Sequence, residues 1–349
     1  MSDAHTSPAP NSPVTTGAPP RAPRARIAGT GKYVPAQIRT NADLERMVDT
    51  SDAWIVERTG IRERRVAAEG ELTSDMASEA SRRALESAGI RATELDLIIV
   101  CTVTPDMPLP STAMFVQRKI GARPDCPGFD LAAACAGFLY GLSVADQFVS
   151  SGAARHVLVV GVELLSRVVN WSDRGTCILF GDGAGAVVVS AAQGDGAGIL
   201  STHLFADGSL AEMLNIPAGG SACPTTQASV DAGLHLVHME GAEIFKIAVK
   251  NLSSASQTAL VANGLRADDV DWVIPHQANL RILDVVSKRC GIPMDRFFLN
   301  IERYGNTSSA SIPIALDEAV RGGHVKPGQT LLFCALGGGI AWGSALLRW

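Results

Sequence analysis

Two well-separated stretches of this 349-residue chain carry the same order of elements, and that internal repeat narrows the possible folds more than any other feature. Residues 91–105 read RATELDLIIVCTVTP and residues 266–279 read RADDVDWVIPHQAN. Each is a polar turn, then an apolar run of the kind that forms a strand buried on both faces, then a loop. Each continues into a helix closed by glycine, at Gly121 and at Gly291. Each then supplies a short strand and a turn entering a second helix, DLAAACAGFLYGLSVADQF and NIERYGNTSSASIPIALDEAV. Both finish on an apolar strand, HVLVVGV and TLLFCALGG. Two packed copies of one α/β unit leave a site between them, at the ends of corresponding strands.

Other elements follow from local pattern. A strand is expected over Arg26–Gly31 and a helix opening over Asn41–Val48. Ser74–Ala88 has helical periodicity and a C-cap in Gly89, and Ser111–Ile120 is also helical. Leu95–Val103, Phe129–Ala134, His156–Val162 and Ala184–Ser190 read as strands, with a helix over Ala136–Val149. The organisation is then a tail over 1–25, a first half over 26–204, a polar Gly/Ala/Pro-rich connection over 205–236 and a second half over 237–349. The tail is rich in Pro, Ala, Ser and Thr without an apolar core, so it reads as disordered and not as a secretory signal.

Composition excludes several classes. The chain is 46% hydrophobic and 19% charged, enough for a large core, and no apolar run reaches membrane-spanning length. A net charge of −5 makes a nucleic-acid partner unexpected. Seven cysteines without regular spacing argue against a disulfide framework and for a reducing, cytoplasmic setting.

Cys135 falls between an apolar strand and the first turn of a helix, flanked by Ala134, Ala136 and Gly137. Backbone N–H groups and the helix dipole there are expected to lower the thiol pKa and favour a thiolate. Cysteine is among the most buried residue types, so position alone leaves a structural role open. Partners narrow the choice. His276 follows the buried strand of the second half, and Asn306 occupies the strand-to-helix turn that mirrors Cys135. No acidic residue is evident to orient the histidine as in a hydrolytic triad, whereas an amide and a neutral imidazole offer donors to an oxygen gaining charge. The glycine run Gly337–Gly339 lets backbone N–H groups approach an acyl oxygen. FGDGAGA leads into a strand, which rejects a dinucleotide loop. His235, His238 and Glu240 fall short of a structural zinc set, so no metal is expected.

With these motifs the chain resembles β-ketoacyl-acyl carrier protein synthase III, the initiating condensing enzyme of type II fatty acid synthesis. The likeness runs from Ile27 to Trp349, through TNADLERMVDTSDAWIVERTGIRER, DLAAACAGF, DRGT, PHQANLRI, GNTSSASIP and LGGGIAWGSALLRW. The resemblance implies an α/β, thiolase-like five-layered α-β-α-β-α fold and a homodimer. It implies a catalytic set falling on Cys135, His276 and Asn306, with an oxyanion hole from the backbone of Cys135 and Gly338. The implied reaction joins an acyl-CoA primer, carried on Cys135, to malonyl-acyl carrier protein with loss of CO₂, without metal or redox cofactor. Trp54, Arg58, Arg174 and Asn279 match the family's CoA contacts. Lys246, Arg281, Lys288 and Arg289 would form a basic face for an acidic carrier protein.

The sequence departs from the family pattern at Leu109, where acetyl-selective members often have Phe in an acyl pocket shared across the dimer, and at Leu336, where Phe is usual. These changes point to longer or branched primers or to specialised metabolism. The alternatives are a same-fold enzyme transferring acyl groups to another acceptor, and a non-catalytic synthase partner, although Cys135, His276 and Asn306 are all present.

Overall fold

The apolar runs form the central strands of two sheets in the computed structural model, which describes residues 24–194 and 196–349. The expected disordered tail lies outside the described residues up to residue 23, and its last position, Ala25, opens a strand. The first part of the chain runs β1 (Ala25–Tyr33), β2 (Gln37–Thr40), α1 (Asn41–Glu45), α2 (Asp52–Thr59), β3 (Glu63–Val66), α3 (Thr73–Ala88) and β4 (Leu97–Cys101). It continues through α4 (Thr112–Ile120), β5 (Gly128–Leu131), α5 (Gly137–Ser150), β6 (His156–Glu163), α6 (Arg174–Cys177) and β7 (Gly183–Ala191). The second part begins with β8 (Gly198–Ala206), β9 (Leu214–Asn215), α7 (Gln227–Asp231), β10 (His238–Met239), α8 (Gly241–Ala262) and β11 (Trp272–Pro275). It ends with α9 (Leu280–Cys290), α10 (Ile301–Tyr304), α11 (Ser311–Arg321), β12 (Thr330–Gly337) and β13 (Ala341–Arg348).

Strand order is β1-β7-β6-β4-β5 in one sheet and β8-β13-β12-β11 in the other. Four strands of each sheet match in order and direction: β4 lies parallel to β6 as β11 does to β12, and β1–β7 and β6–β7 are antiparallel as are β8–β13 and β12–β13. The fifth strand of the first sheet, β5, lies parallel to β4. Where β5 pairs with β4, the second half keeps one parallel bridge, Val273 to Phe297. This pairing moves the boundary. β8 belongs to the second sheet through β13, so the second half starts near Gly198, and the 26–204 assignment had placed that strand in the first.

Five layers result. α3 and α4 cover the outer face of the first sheet, α5 and α11 lie between the sheets, and α8 and α9 cover the outer face of the second. The middle layer demands close approach. A Cβ on Gly161 would lie 2.2 Å from the Ser309 carbonyl oxygen, and one on Gly185 would lie 2.6 Å from the Ile314 nitrogen. Helices α3, α4 and α9 each stop at a left-handed glycine, Gly89, Gly121 and Gly291, as the sequence predicts. Among the described residues no helix is long and apolar enough to cross a membrane.

Candidate functional site

The nucleophile candidate owes its position to one strained residue. Strand β5 ends at Leu131, earlier than the predicted Ala134, because the chain must turn before α5. Ala134 adopts φ 43° and starts a 3₁₀ turn, Ala134–Ala136, that runs into α5. A left-handed alanine costs about 1–2 kcal/mol, and it aims the next side chain, Cys135, toward the second half. Gly337, at the end of β12, lies behind: a Cβ there would come within 2.5 Å of the Cys135 nitrogen.

The second half repeats the device. Ser308 has φ 50° and opens the 3₁₀ turn Ser308–Ala310 ahead of α11. The mirror of Cys135 is therefore Ser309, and not Asn306 as the sequence suggested; Asn306 stands before the turn. Its Oδ1 accepts the Ser308 N–H at 2.8 Å, which fixes the amide. His276 follows β11, and its backbone N–H donates to the Cys334 carbonyl at 2.8 Å. The next residue, Gln277, locks this loop: its Oε1 accepts from the N–H groups of Asn300 and Ile301, and its Nε2 donates to Phe298.

Cys135, His276 and Asn306 line one cavity of about 570 Å³, together with Arg58, Lys246, Asn279 and Arg281. The three core side chains are nearly closed off from solvent. Burial pushes the His276 imidazole down to about 4, opposed weakly by the Ser308 backbone, so the ring is neutral near pH 7. Its Nδ1 has no hydrogen-bond partner among the described residues.

Burial, aided by the charge of buried Glu163, pushes the Cys135 thiol up to about 12, against the opposing effect of the Ser308 hydroxyl and the Cys135 N–H. The expectation of a lowered thiol pKa is thus overturned. Desolvation of a closed site outweighs the donors of the turn.

A second cavity of about 310 Å³ shares Cys135, Phe180 and Leu214 with the first and is mostly apolar, lined also by Leu165, Ile216 and Val237. Gly338 and Ser308 reach its wall. Three of these residues, Leu214, Ile216 and Val237, come from the segment between the halves or its edge. That stretch is more than a connection, and its sparse apolar residues were the available signal.

The remaining predicted positions separate. The guanidiniums of Arg58 and Arg174 lie over the Trp54 ring at 4.6 and 4.8 Å, at the flank of the larger cavity. Asn279 caps α9, accepting the Arg281 N–H at 2.9 Å. Lys246 pairs with Glu243 and Lys288 with Asp284, each at 2.7 Å. Lys288 and Arg289 sit at the far end of α9, away from the cavity that Lys246 and Arg281 border. Leu109 borders neither cavity of its own chain and is 84% exposed. Glu163, Gln277 and Ser308 were not singled out by sequence reading, since nothing local marks a Glu at a strand end or a Ser among serines.

Two matched α/β halves, with a buried Cys on the strand-to-helix turn of one facing His and Asn of the other, define a thiolase-like architecture. A solved structure of 3-oxoacyl-[acyl-carrier-protein] synthase III from Aquifex aeolicus superposes with a TM-score of 0.86 at 46% identity, covering 93% of this chain and 100% of that one. Residues 129–208 match the profile of 3-oxoacyl-[acyl-carrier-protein] synthase III, and residues 260–349 match that of its C-terminal part. The β-ketoacyl-[acyl-carrier-protein] synthase III of Thiobacillus denitrificans is 53% identical over 93% of this chain and 99% of its own. That of Xylella fastidiosa is 55% identical over 93% and 98%. The chain belongs to the β-ketoacyl-[acyl-carrier-protein] synthase III family.

Proposed function

We propose that this protein carries out the initiating condensation of fatty acid synthesis, joining an acyl-CoA primer to malonyl-acyl carrier protein through an acyl-Cys135 thioester. The observation that carries the reading is the meeting of Cys135, His276 and Asn306 at one cavity, in a chain whose relatives at 53–55% identity bear this name. In the first half-reaction the Cys135 sulfur adds to the thioester carbonyl, and the oxyanion is held by the N–H groups of Cys135 and Gly338. Collapse expels CoA as a thiolate. The small neighbours and the apolar second cavity suit an acyl chain leaving Cys135 on that side.

In the second half-reaction malonyl thioester enters by the larger cavity. Breaking the bond to its carboxylate releases CO₂ and sends the electron pair toward the thioester oxygen. His276, neutral by burial, and the Asn306 amide supply donors at that oxygen, where they act on charge that develops only during the reaction. The carbanion then attacks the acyl-Cys135 carbonyl, a C–C bond forms, and Cys135 leaves as the 3-oxoacyl product is released. Atoms and electrons balance without metal or redox cofactor.

Trp54, Arg58, Arg174 and Asn279 fit a CoA-binding role: an indole with two guanidiniums suits an adenine and its phosphates. Lys246 and Arg281 at the mouth, with Lys288 and Arg289 further along α9, offer a basic edge to an acidic carrier protein. Met107, Leu109 and Phe129 leave apolar side chains exposed beside the edge strand β5, which fits a homodimer in which Leu109 reaches the partner's acyl pocket. A cytoplasmic location accords with this chemistry and with the free cysteines.

Intact-protein mass spectrometry with a panel of acyl-CoAs, before and after malonyl-acyl carrier protein, tests the reading. An adduct on Cys135 that disappears as 3-oxoacyl carrier protein forms supports it and names the primer. An adduct that survives malonyl carrier protein points to a different acceptor, and no adduct with any primer overturns it.

A further inference from the structure

Arg64, in β3, is the largest fully buried side chain among the described residues, yet no carboxylate there forms an ion pair with it. Burial pulls its pKa down to about 10, which still leaves the guanidinium charged at pH 7. Its donors go to neutral oxygens. Nη2 donates to the Ile178 carbonyl at 2.7 Å, and Nη1 donates to Asn41 Oδ1 at 2.9 Å and to the Arg39 carbonyl at 3.2 Å. Nε has no partner among the described residues. A buried charge held by neutral acceptors alone is costly, and an unbranched apolar side chain would fill the same space at lower cost. What the guanidinium does that such a side chain cannot is join two helices.

Those helices carry the stacked Trp54, Arg58 and Arg174. Ile178 directly follows α6, whose first residue is Arg174. Asn41, itself buried, carries the contact on to α2. Its Nδ2 donates to Oδ1 of Asp52, the first residue of α2, and to the Ile61 carbonyl just past the other end of that helix, both at 2.8 Å. Arg58 shares α2 with Trp54, so the spacing between α2 and α6 governs the Arg174 contact. A guanidinium is attracted to an indole out to about 6 Å, and Arg174 stands at 4.8 Å, so a shift of about 1 Å between the helices releases it.

We propose that Arg64 is a positioning residue for acyl-CoA: its guanidinium holds α2 and α6 at the spacing that keeps Arg174 over Trp54, where the nucleotide end of the substrate binds. The inference rests on the reading of Trp54, Arg58 and Arg174 as CoA contacts. A lysine at this position keeps the charge but lacks the planar fork that reaches Ile178 and Asn41 at once. The effect is confined to substrates that reach the stacked residues. Asn306 is tied to the same stretch of chain by its backbone, donating to the Leu179 carbonyl at 2.8 Å and accepting the Gly181 N–H at 3.0 Å, and these bonds do not involve the guanidinium.

The test is single-turnover acylation of Cys135 in the full-length enzyme, for wild type, Arg64→Lys and Arg64→Met. The same acyl group is supplied either as acyl-CoA or as its N-acetylcysteamine thioester, which ends before any nucleotide. The half-saturating acyl-CoA concentration should rise about tenfold in both variants, the factor expected from one lost cation–π contact. The maximal rate with acyl-CoA, the rate with the short thioester and primer-free decarboxylation of malonyl-acyl carrier protein should all stay within about twofold. Adding Trp54→Ala to either variant should raise the half-saturation little further. Equal losses with both donors, the mark of a merely structural role, overturn the proposal, and so does wild-type half-saturation in Arg64→Lys. Arg64→Lys carries the test if Arg64→Met does not fold. Unchanged acyl-CoA half-saturation in the single variant Trp54→Ala would instead overturn the CoA-contact reading on which the proposal rests.

Discussion

In the first half of the molecule Ala134–Ala136 form a 3₁₀ turn entered at φ 43°, and in the second Ser308–Ala310 form one entered at φ 50°. The middle residue of the first is Cys135, which opens on two cavities. The middle residue of the second is Ser309, which opens on neither: it is 1% exposed and donates to the Cys101 carbonyl at 2.7 Å. One turn presents the candidate nucleophile, and its copy is packed into the seam that holds the halves together. The difference lies in what each copy faces. Gly161 and Gly137 leave room for the second turn to press against the first half, whereas the first turn faces the cavity left between His276, Asn306 and Leu214. Duplication of a backbone therefore does not duplicate a site.

Exchanging the distinguishing residue should have the largest effect. Cys135→Ser should abolish the acyl-enzyme adduct in intact-mass measurements, and an undiminished adduct would transfer the nucleophile elsewhere. His276→Ala and Asn306→Ala should lower malonyl decarboxylation about 10²–10³-fold while sparing acylation much more. Equal losses in the two half-reactions would break the division of labour.

Next come changes at the seam. Gly161→Ala would place a methyl against the Ser309 carbonyl and should destabilise the fold by about 3 kcal/mol, read in denaturant unfolding. Glu163 joins the loop after β4 to the second turn, and burial raises its carboxyl from 4.5 to about 7. Its folded state holds the proton more tightly, so this contribution is complete below the unfolded pKa and is lost as pH rises through about 7. Glu163→Gln should remove that loss, and its stability relative to wild type should climb by about 3 kcal/mol across the window. A pH-independent difference would mean that the carboxyl is not raised. The smallest effect is expected for Ser309→Ala, about 1 kcal/mol from the lost hydrogen bond, with acylation near wild type.

Most of this arrangement was legible in the sequence. The buried strands of both halves are runs of β-branched and apolar residues, and the glycine stops Gly89, Gly121 and Gly291 ended helices where they were expected to. Cys135 and His276 were found because each follows an apolar strand, and Asn306 because it lies in the turn that leads into a helix. Glu163 interrupts nothing: it simply ends HVLVVGVE, and only the approach of Ser308 from 145 residues away gives it a partner at the site. Leu214 and Ile216 were passed over because they are isolated apolar residues in a polar stretch, and their neighbours at the cavity are distant in sequence.

The sequence by itself determined the repeat, the strand and helix periods, the glycine positions and the identity of the three side chains, because these follow from local pattern and chemical type. Tertiary structure alone decided that β8 completes the second sheet, that Ser309 mirrors Cys135, and that Leu109 stands clear of its own chain's cavities. It also decided the charges. A helix start favours a thiolate and an exposed imidazole titrates near neutrality, but closing the halves removes water from both groups. Desolvation then holds Cys135 and His276 in their neutral forms, and no local segment carries the information for that, because burial is a property of the two halves together.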